Sequence, residues 1–125
     1  MITENTTMVS LERYVSKMML ELGIPAHLRG YYYLREAVLL SVEDMELVGS
    51  VTKLLYPVIA HRNKTTSQRV ERAIRNAIEV SWERGNPAMF EDLFGFSRMT
   101  QSPRPTNSEY IARIADTVRM DGPKL

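Results

Sequence analysis

The stretch from Pro57 to Trp82 constrains the fold more than any other part of the chain. Between Thr66 and Glu83, apolar or small residues recur at three- and four-residue spacing, which places them on one stripe of an α-helix. These residues are Val70, Ala73, Ile74, Ala77, Ile78 and Ser81. Such a stripe must face a core, so the sequence predicts a long amphipathic helix over residues 66–83.

The opposite face of this helix is polar and rich in arginine. Its residues recur at the same spacing and are Gln68, Glu71, Arg72, Arg75 and Glu79, flanked by Arg69 and Asn76. Most charged helix faces are only solvated, and Glu71 with Arg75 is an ordinary stabilising pair four residues apart. An arginine fork can also take guanine O6 and N7 together, while a carboxylate can accept from a cytosine amino group. The pattern of this face is compatible with both interpretations.

The segment in front of the long helix favours a helix-turn-helix over residues 57–83. Pro57 suits the first turn of a short helix, and the run 63–66 contains turn formers without an apolar residue. Thr65 with Gln68 fits a capping box at the start of the next helix. Gln68 could instead contact adenine, and these two roles remain open. Two helices joined in this way can place the second one in the major groove of DNA.

The net charge of +1 is unevenly distributed along the chain. Residues 1–50 carry four Lys/Arg against seven Asp/Glu, residues 51–85 carry seven against three, and residues 86–125 carry five of each. The positive charge therefore lies where the predicted helix-turn-helix lies. Because phosphate contacts dominate affinity for nucleic acid, this placement favours DNA as a partner.

The rest of the chain is predicted to be helical, which makes the fold class all-α, a compact single domain of about six helices over residues 1–125. Further helices are expected from Met8 to Leu22, from Ala26 to Leu40 and on to Pro57, around 89–94, and after Thr106. Capping patterns are expected at Ser41–Asp44 and at Thr106–Glu109. Residues 1–6 and 121–125 are expected to be frayed.

Composition argues against several other functions. The chain contains no cysteine and only two histidines, His27 and His61, without a framing motif, so we expect no enzyme, no catalytic residue, no metal site and no cofactor. No apolar stretch approaches the roughly twenty residues that cross a bilayer. We therefore expect a cytoplasmic protein without a membrane or a small-molecule substrate as partner.

Several strings in the chain resemble one known family. They are LGIPAHLRGYYYLREA, VTKLLYPVIA, SQRVERAIRNAIEVSWERGN, LFGF and PTNSEYIARIAD. They are similar to the C-terminal DNA-binding effector domain of the sporulation initiation response regulator, the stage zero sporulation protein A family of endospore-forming bacteria. The resemblance covers roughly residues 9–120. It implies a transcription activator or repressor that binds double-stranded DNA at boxes with a GTCGA core, as tandem copies on adjacent boxes.

The resemblance also implies roles for individual residues. Base contacts would come from Gln68, Glu71, Arg72 and Arg75, which is the polar face already described. Phosphate contacts would come from Lys64, Thr65, Thr66 and Arg69. The segment 81–95 corresponds to the region that family members present to the RNA polymerase sigma factor.

Two alternatives concern regulation and partner. The chain contains no receiver domain with a phosphoacceptor aspartate, so it is either a domain excised from a longer phosphorelay regulator or a naturally short protein. In both cases we expect constitutive DNA binding. A helical adaptor whose arginine face binds an acidic protein is the alternative function. A preference for one DNA sequence over another would distinguish DNA reading from the adaptor.

Overall fold

The structure is a computed structural model that describes the backbone of residues 4–123 and the side chains of residues 8–123. In this part of the chain there are six α-helices and no β-strand, which confirms the all-α prediction. The helices are α1 (Glu4–Glu21), α2 (Arg29–Glu43), α3 (Tyr56–Arg62), α4 (Ser67–Arg84), α5 (Pro87–Phe94) and α6 (Asn107–Asp121). A 3-10 segment over Met45–Ser50 and a π-helical turn over Val51–Leu55 join α2 to α3.

Helix α2 lies at the centre of the core, where it packs against α1, α4 and α6. Its closest approach to α4 is at the buried Gly30. A Cβ atom there would overlap the carbonyl oxygen of Ala73 and would lie 2.9 Å from the Cβ of Ala77. The absence of a side chain at Gly30 therefore lets the start of α2 lie directly against the middle of α4.

A buried hydrogen-bonded cluster joins α4 to α6 and to the residue that directly follows α1. Ser81 Oγ donates to the carbonyl oxygen of Leu22 at 2.7 Å, so it accepts from the Tyr110 hydroxyl at 2.8 Å. Both side chains are fully buried, and this burial raises the pKa of the Tyr110 hydroxyl far above its ordinary value. The hydroxyl stays protonated as a donor, and the cluster fixes the C-terminal half of α4.

Several predicted helix ends are confirmed. Gly23 follows α1 and Gly95 follows α5, and both have positive φ values, 83° and 84°, that glycine adopts without strain. Thr106 and Glu109 form the predicted capping box of α6: Thr106 Oγ1 accepts from Glu109 N, and Thr106 N donates to Glu109 Oε1 at 3.0 Å. At these three positions the local sequence was sufficient to predict where the helix begins or ends.

The predicted boundary between α2 and the next segment is wrong. Ser41 does not begin a helix; it lies buried inside α2, which continues to Glu43. Asp44 is the residue that caps the following 3-10 segment, because its side chain accepts from Glu46 N at 3.1 Å. Pro57 lies in the first turn of α3, as predicted, and the π-helical turn over Val51–Leu55 leads directly into that helix.

The expected fraying at the chain ends is only partly addressed by the structure. Residues 1–3 and 124–125 lie outside the described residues. The backbone of residues 4–6 belongs to α1, and α6 includes Asp121, so helix extends further at both ends than the sequence indicated.

Candidate nucleic-acid interface

Helix α4 has the two faces that its sequence predicts. Its apolar stripe is buried against the core, apart from Ala73, which is half-buried. The opposite face carries Gln68, Arg72 and Arg75, all exposed, with the half-buried Glu71 among them. The buried stripe therefore fixes which side of α4 is presented to solvent.

The turn between α3 and α4 differs from the predicted capping arrangement. The capping residue is Thr66, not Thr65, and its Oγ1 accepts from Arg69 N at 3.2 Å. Thr65 instead donates its backbone N–H to the carbonyl oxygen of Ala60 at 2.9 Å. Because Gln68 is not the third residue of the helix, it cannot complete a capping box.

Helix α2 holds this turn in place through Glu36. The Glu36 carboxylate accepts from Asn63 Nδ2 at 3.0 Å and pairs with Arg62 at 3.3 Å. Asn63 Nδ2 also donates to the carbonyl oxygen of Ile59 at 2.8 Å, while Lys64 adopts a positive φ of 52°. These contacts fix where α4 begins and leave Lys64 projecting from the turn.

The four predicted base-contacting residues are brought together on one face, but they are not equally available. Arg75 donates to Glu71 at 3.0 Å, so this pair satisfies itself when no partner is bound. Within the described residues, the side chains of Gln68 and Arg72 have no hydrogen bond or ion pair. The Glu71–Arg75 ion pair is exposed, so it contributes little to stability and costs little to break.

A cationic groove of about 720 Å³ runs along one flank of α4, between that helix and the start of α2. We call it the α2–α4 groove. Its lining residues are Arg29, Tyr33, Asn63, Lys64, Thr65, Arg69, Arg72, Ala73 and Asn76. No carboxylate is among the described residues that line it. Three of the four predicted phosphate-contacting residues line it too, whereas the fourth, Thr66, uses its hydroxyl to cap α4.

The other flank of α4 adjoins the loop that leads into α6, with a groove of about 560 Å³. Here Asn107 Nδ2 donates to the Tyr56 hydroxyl at 2.9 Å and to the carbonyl oxygen of Glu71 at 3.1 Å. Burial raises the pKa of the Tyr56 hydroxyl, partly offset by its bond with Asn107. Arg104 pairs with Glu79 at 3.6 Å. This flank is therefore closed by internal bonds, and its arginines are paired.

The segment 81–95 contains buried aromatic rings and three exposed carboxylates, which we call its acidic surface. The rings of Trp82 and Phe90 meet edge to face with centroids 5.5 Å apart. Glu83, Glu91 and Asp92 are exposed on the solvent side. This aromatic packing joins the end of α4 to α5, the two helices that carry these exposed carboxylates.

The described residues offer little support for a metal site, a histidine-based site or a membrane span. Among the described residues, no group of three His, Cys, Asp or Glu side chains could hold a metal ion. His27 and His61 are both exposed and lie on different elements. None of the described helices is both long and apolar enough to cross a membrane.

A short helix, a tight turn and a long helix with an exposed arginine face flanked by a cationic groove define a helix-turn-helix DNA-binding domain. The comparison with protein families agrees with this class. Residues 15–118 match the family described as sporulation initiation factor Spo0A C terminal. The chain belongs to that family: it is a DNA-binding effector domain of sporulation initiation, a transcription regulator and not an enzyme.

Proposed function

We propose that α4 lies in the major groove of double-stranded DNA and reads GTCGA-type boxes through Gln68, Glu71, Arg72 and Arg75. The observation that carries this proposal is the exposed arginine face of α4, opposite a stripe that is buried in the core apart from the half-buried Ala73. Arg72 would take one guanine through O6 and N7. The Glu71–Arg75 pair would open, so that Arg75 takes a second guanine and Glu71 accepts from a cytosine amino group.

Phosphate contacts would come from Lys64, Thr65, Thr66 and Arg69. The first three belong to the turn before α4, and Arg69 lies in its first turn. The Thr66 hydroxyl caps the helix, so Thr66 would contribute by orienting the free N–H groups of the first turn toward a phosphate. These contacts would set the register in which the base-reading face meets the DNA.

Two protein partners complete the proposal. Two copies of the domain would occupy adjacent boxes in tandem, and the acidic surface of segment 81–95 would meet a basic surface of the RNA polymerase sigma factor. The exposed Glu83, Glu91 and Asp92 support the second partner by charge complementarity. A role on the chromosome would place the protein in the cytoplasm.

Binding to a duplex with one GTCGA-type box, against a shuffled duplex of equal length, tests the reading function. The comparison belongs at about 150 mM salt, where non-specific binding is weak. We expect a large preference for the box. Equal and weak binding to both duplexes would contradict sequence-specific reading by α4.

Charge reversal of the acidic surface tests the sigma-factor contact separately. Glu91→Lys combined with Asp92→Lys is expected to leave DNA binding intact and to remove activation in transcription with purified polymerase. Asp121→Lys, on an exposed carboxylate outside the segment, serves as the control. Full activation by the double variant would exclude this surface.

A further inference from the structure

Arg29 lies far from α4 in sequence, yet it is part of the same cationic groove. It is exposed at the start of α2 and lines the α2–α4 groove together with Lys64, Arg69 and Arg72. Within the described residues, none of these four side chains makes a hydrogen bond or an ion pair. The groove thus gathers four unpaired cations from three elements, without a carboxylate on its described walls.

Three other arginines around the helix-turn-helix are paired with carboxylates. Arg62, Arg75 and Arg104 each pair with a glutamate, at 3.0 to 3.6 Å. A further groove along α1 is also basic, but it contains Glu12, which pairs with Arg35 at 3.6 Å. Concentrated, uncompensated positive charge is therefore particular to the α2–α4 groove among these sites.

The position of Arg29 relative to α4 is fixed by its neighbour. Gly30 is buried with its Cα directly against α4, where a Cβ would overlap the Ala73 carbonyl oxygen. Tyr33, one turn further along α2, is also buried and also lines the groove. Arg29 therefore projects from a backbone that cannot move away from α4 without loss of core packing.

A helix in the major groove has a phosphodiester backbone on each side, because the groove is only about 12 Å wide. The α2–α4 groove follows one flank of α4, beside Arg72 and Asn76. We propose that this groove receives the phosphodiester backbone of one DNA strand and that Arg29 contacts a phosphate there. The inference rests on the proposed placement of α4, and it extends the DNA footprint beyond the helix-turn-helix to the start of α2.

The test measures affinity and its salt dependence for Arg29→Ala. We expect binding about tenfold weaker on both the box duplex and the shuffled duplex, as for a lost charge-assisted hydrogen bond. The slope of log affinity against log salt should become shallower by about 0.9, the value for one lost phosphate contact. Arg29→Lys, which keeps the charge, should retain the parent slope.

Arg13→Ala is the matched control, because Arg13 is another exposed arginine without a partner among the described residues, in the groove along α1. It removes the same net charge without touching the α2–α4 groove. Circular dichroism and a melting curve confirm that each variant is folded. If Arg29→Ala and Arg13→Ala give the same affinity and the same salt slope, the proposal is overturned.

Replacing single phosphates by uncharged analogues shows which phosphate Arg29 contacts. When single phosphates in the box duplex are replaced one at a time by methylphosphonate, the parent should lose affinity at several positions. At one of these positions Arg29→Ala should lose nothing further. Equal losses for parent and variant at every position would exclude Arg29 as a phosphate contact. Because Arg72→Ala reports on base reading independently, a failure of Arg29 alone would leave the proposed placement of α4 standing.

Discussion

The two faces of α4 belong to the same eighteen-residue helix. They differ in burial and in the contacts that their side chains make. Val70, Ile74 and Ala77 are completely buried, and their positions are fixed by the core. Gln68 and Arg72, on the other face, are exposed without a partner among the described residues. One face stabilises the fold, and the other has its hydrogen-bonding capacity left for a ligand.

The comparison also separates the two flanks of the exposed face. On the flank beside α6, Asn107 donates to the Glu71 carbonyl oxygen and Arg104 pairs with Glu79. On the flank beside α2, four cations have no partner among the described residues. A folded domain gains nothing in stability from like charges gathered in one groove. Their placement supports the proposed contact with the anionic phosphodiester backbone of DNA.

The largest expected effect is on the buried face. Ile74→Asp places an unpaired carboxylate in the core, which typically costs at least about 3–5 kcal/mol. Since a domain of this kind is stable by only about 5–15 kcal/mol, we expect a large fall in the melting temperature or loss of the cooperative transition. Asn76→Asp is the control, because it introduces the same side chain two residues away at an exposed position. A melting temperature near that of the parent for Ile74→Asp would show that the two faces are reversed.

A smaller loss of stability is expected where α2 meets α4. Gly30→Ala forces the helices apart against the Ala73 carbonyl and the Ala77 methyl, an overpacking that costs about 1–3 kcal/mol. Denaturant unfolding measures the change. Gly49→Ala should have little effect, because a Cβ there meets no atom within 4 Å. Equal stability of the two variants would mean that α2 can shift on α4 at no cost.

On the exposed face the expected change is in binding and not in stability. Arg72→Ala should weaken binding to the specific duplex by about 1–3 kcal/mol, with little change on random DNA, because it would remove the proposed base contact. Its unfolding should match that of the parent, since the Arg72 side chain has no partner among the described residues. Equal losses on both duplexes would assign Arg72 to phosphate.

The smallest expected effect is on the pH dependence of stability, through Glu109 at the start of α6. Hydrogen bonds with the backbone and then the side chain of Thr106 lower the pKa of Glu109 below its ordinary value of 4.5. The ionised carboxylate therefore stabilises the fold above the unfolded pKa, and this contribution is lost as the pH falls through the lower folded value. Glu109→Gln should flatten the decline in stability between about pH 5 and pH 3. An unchanged decline in urea unfolding would show that this cap does not titrate with folding.

Periodicity was enough to predict both faces of α4, because burial of Val70 and Ile74 follows from their spacing alone. It could not distinguish Thr65 from Thr66 as the cap, since the choice depends on the backbone conformation that the turn adopts. Nor does local sequence show that Ser41 lies inside α2, where tertiary packing and not a capping signal decides the boundary.

The flanks of α4 were missed for a different reason. Arg29 and Asn107 come from elements distant in sequence, and each resembles an ordinary residue at a helix start. Asn107 was visible only as part of the Thr106–Glu109 cap. Gly30, directly after Arg29, is the one local signal of a close helix contact, and its meaning depends on knowing that α4 is the partner.

The central claim is that the exposed face of α4 reads bases, and the most direct test removes one acceptor atom from the DNA. Replacing each guanine of the box in turn by 7-deazaguanine takes away N7 in the major groove. We predict that the parent domain loses about tenfold in affinity at each of two guanines, while Arg72→Ala loses nothing further at one of them. A parent domain that binds every substituted duplex as tightly as the unmodified box would contradict the account.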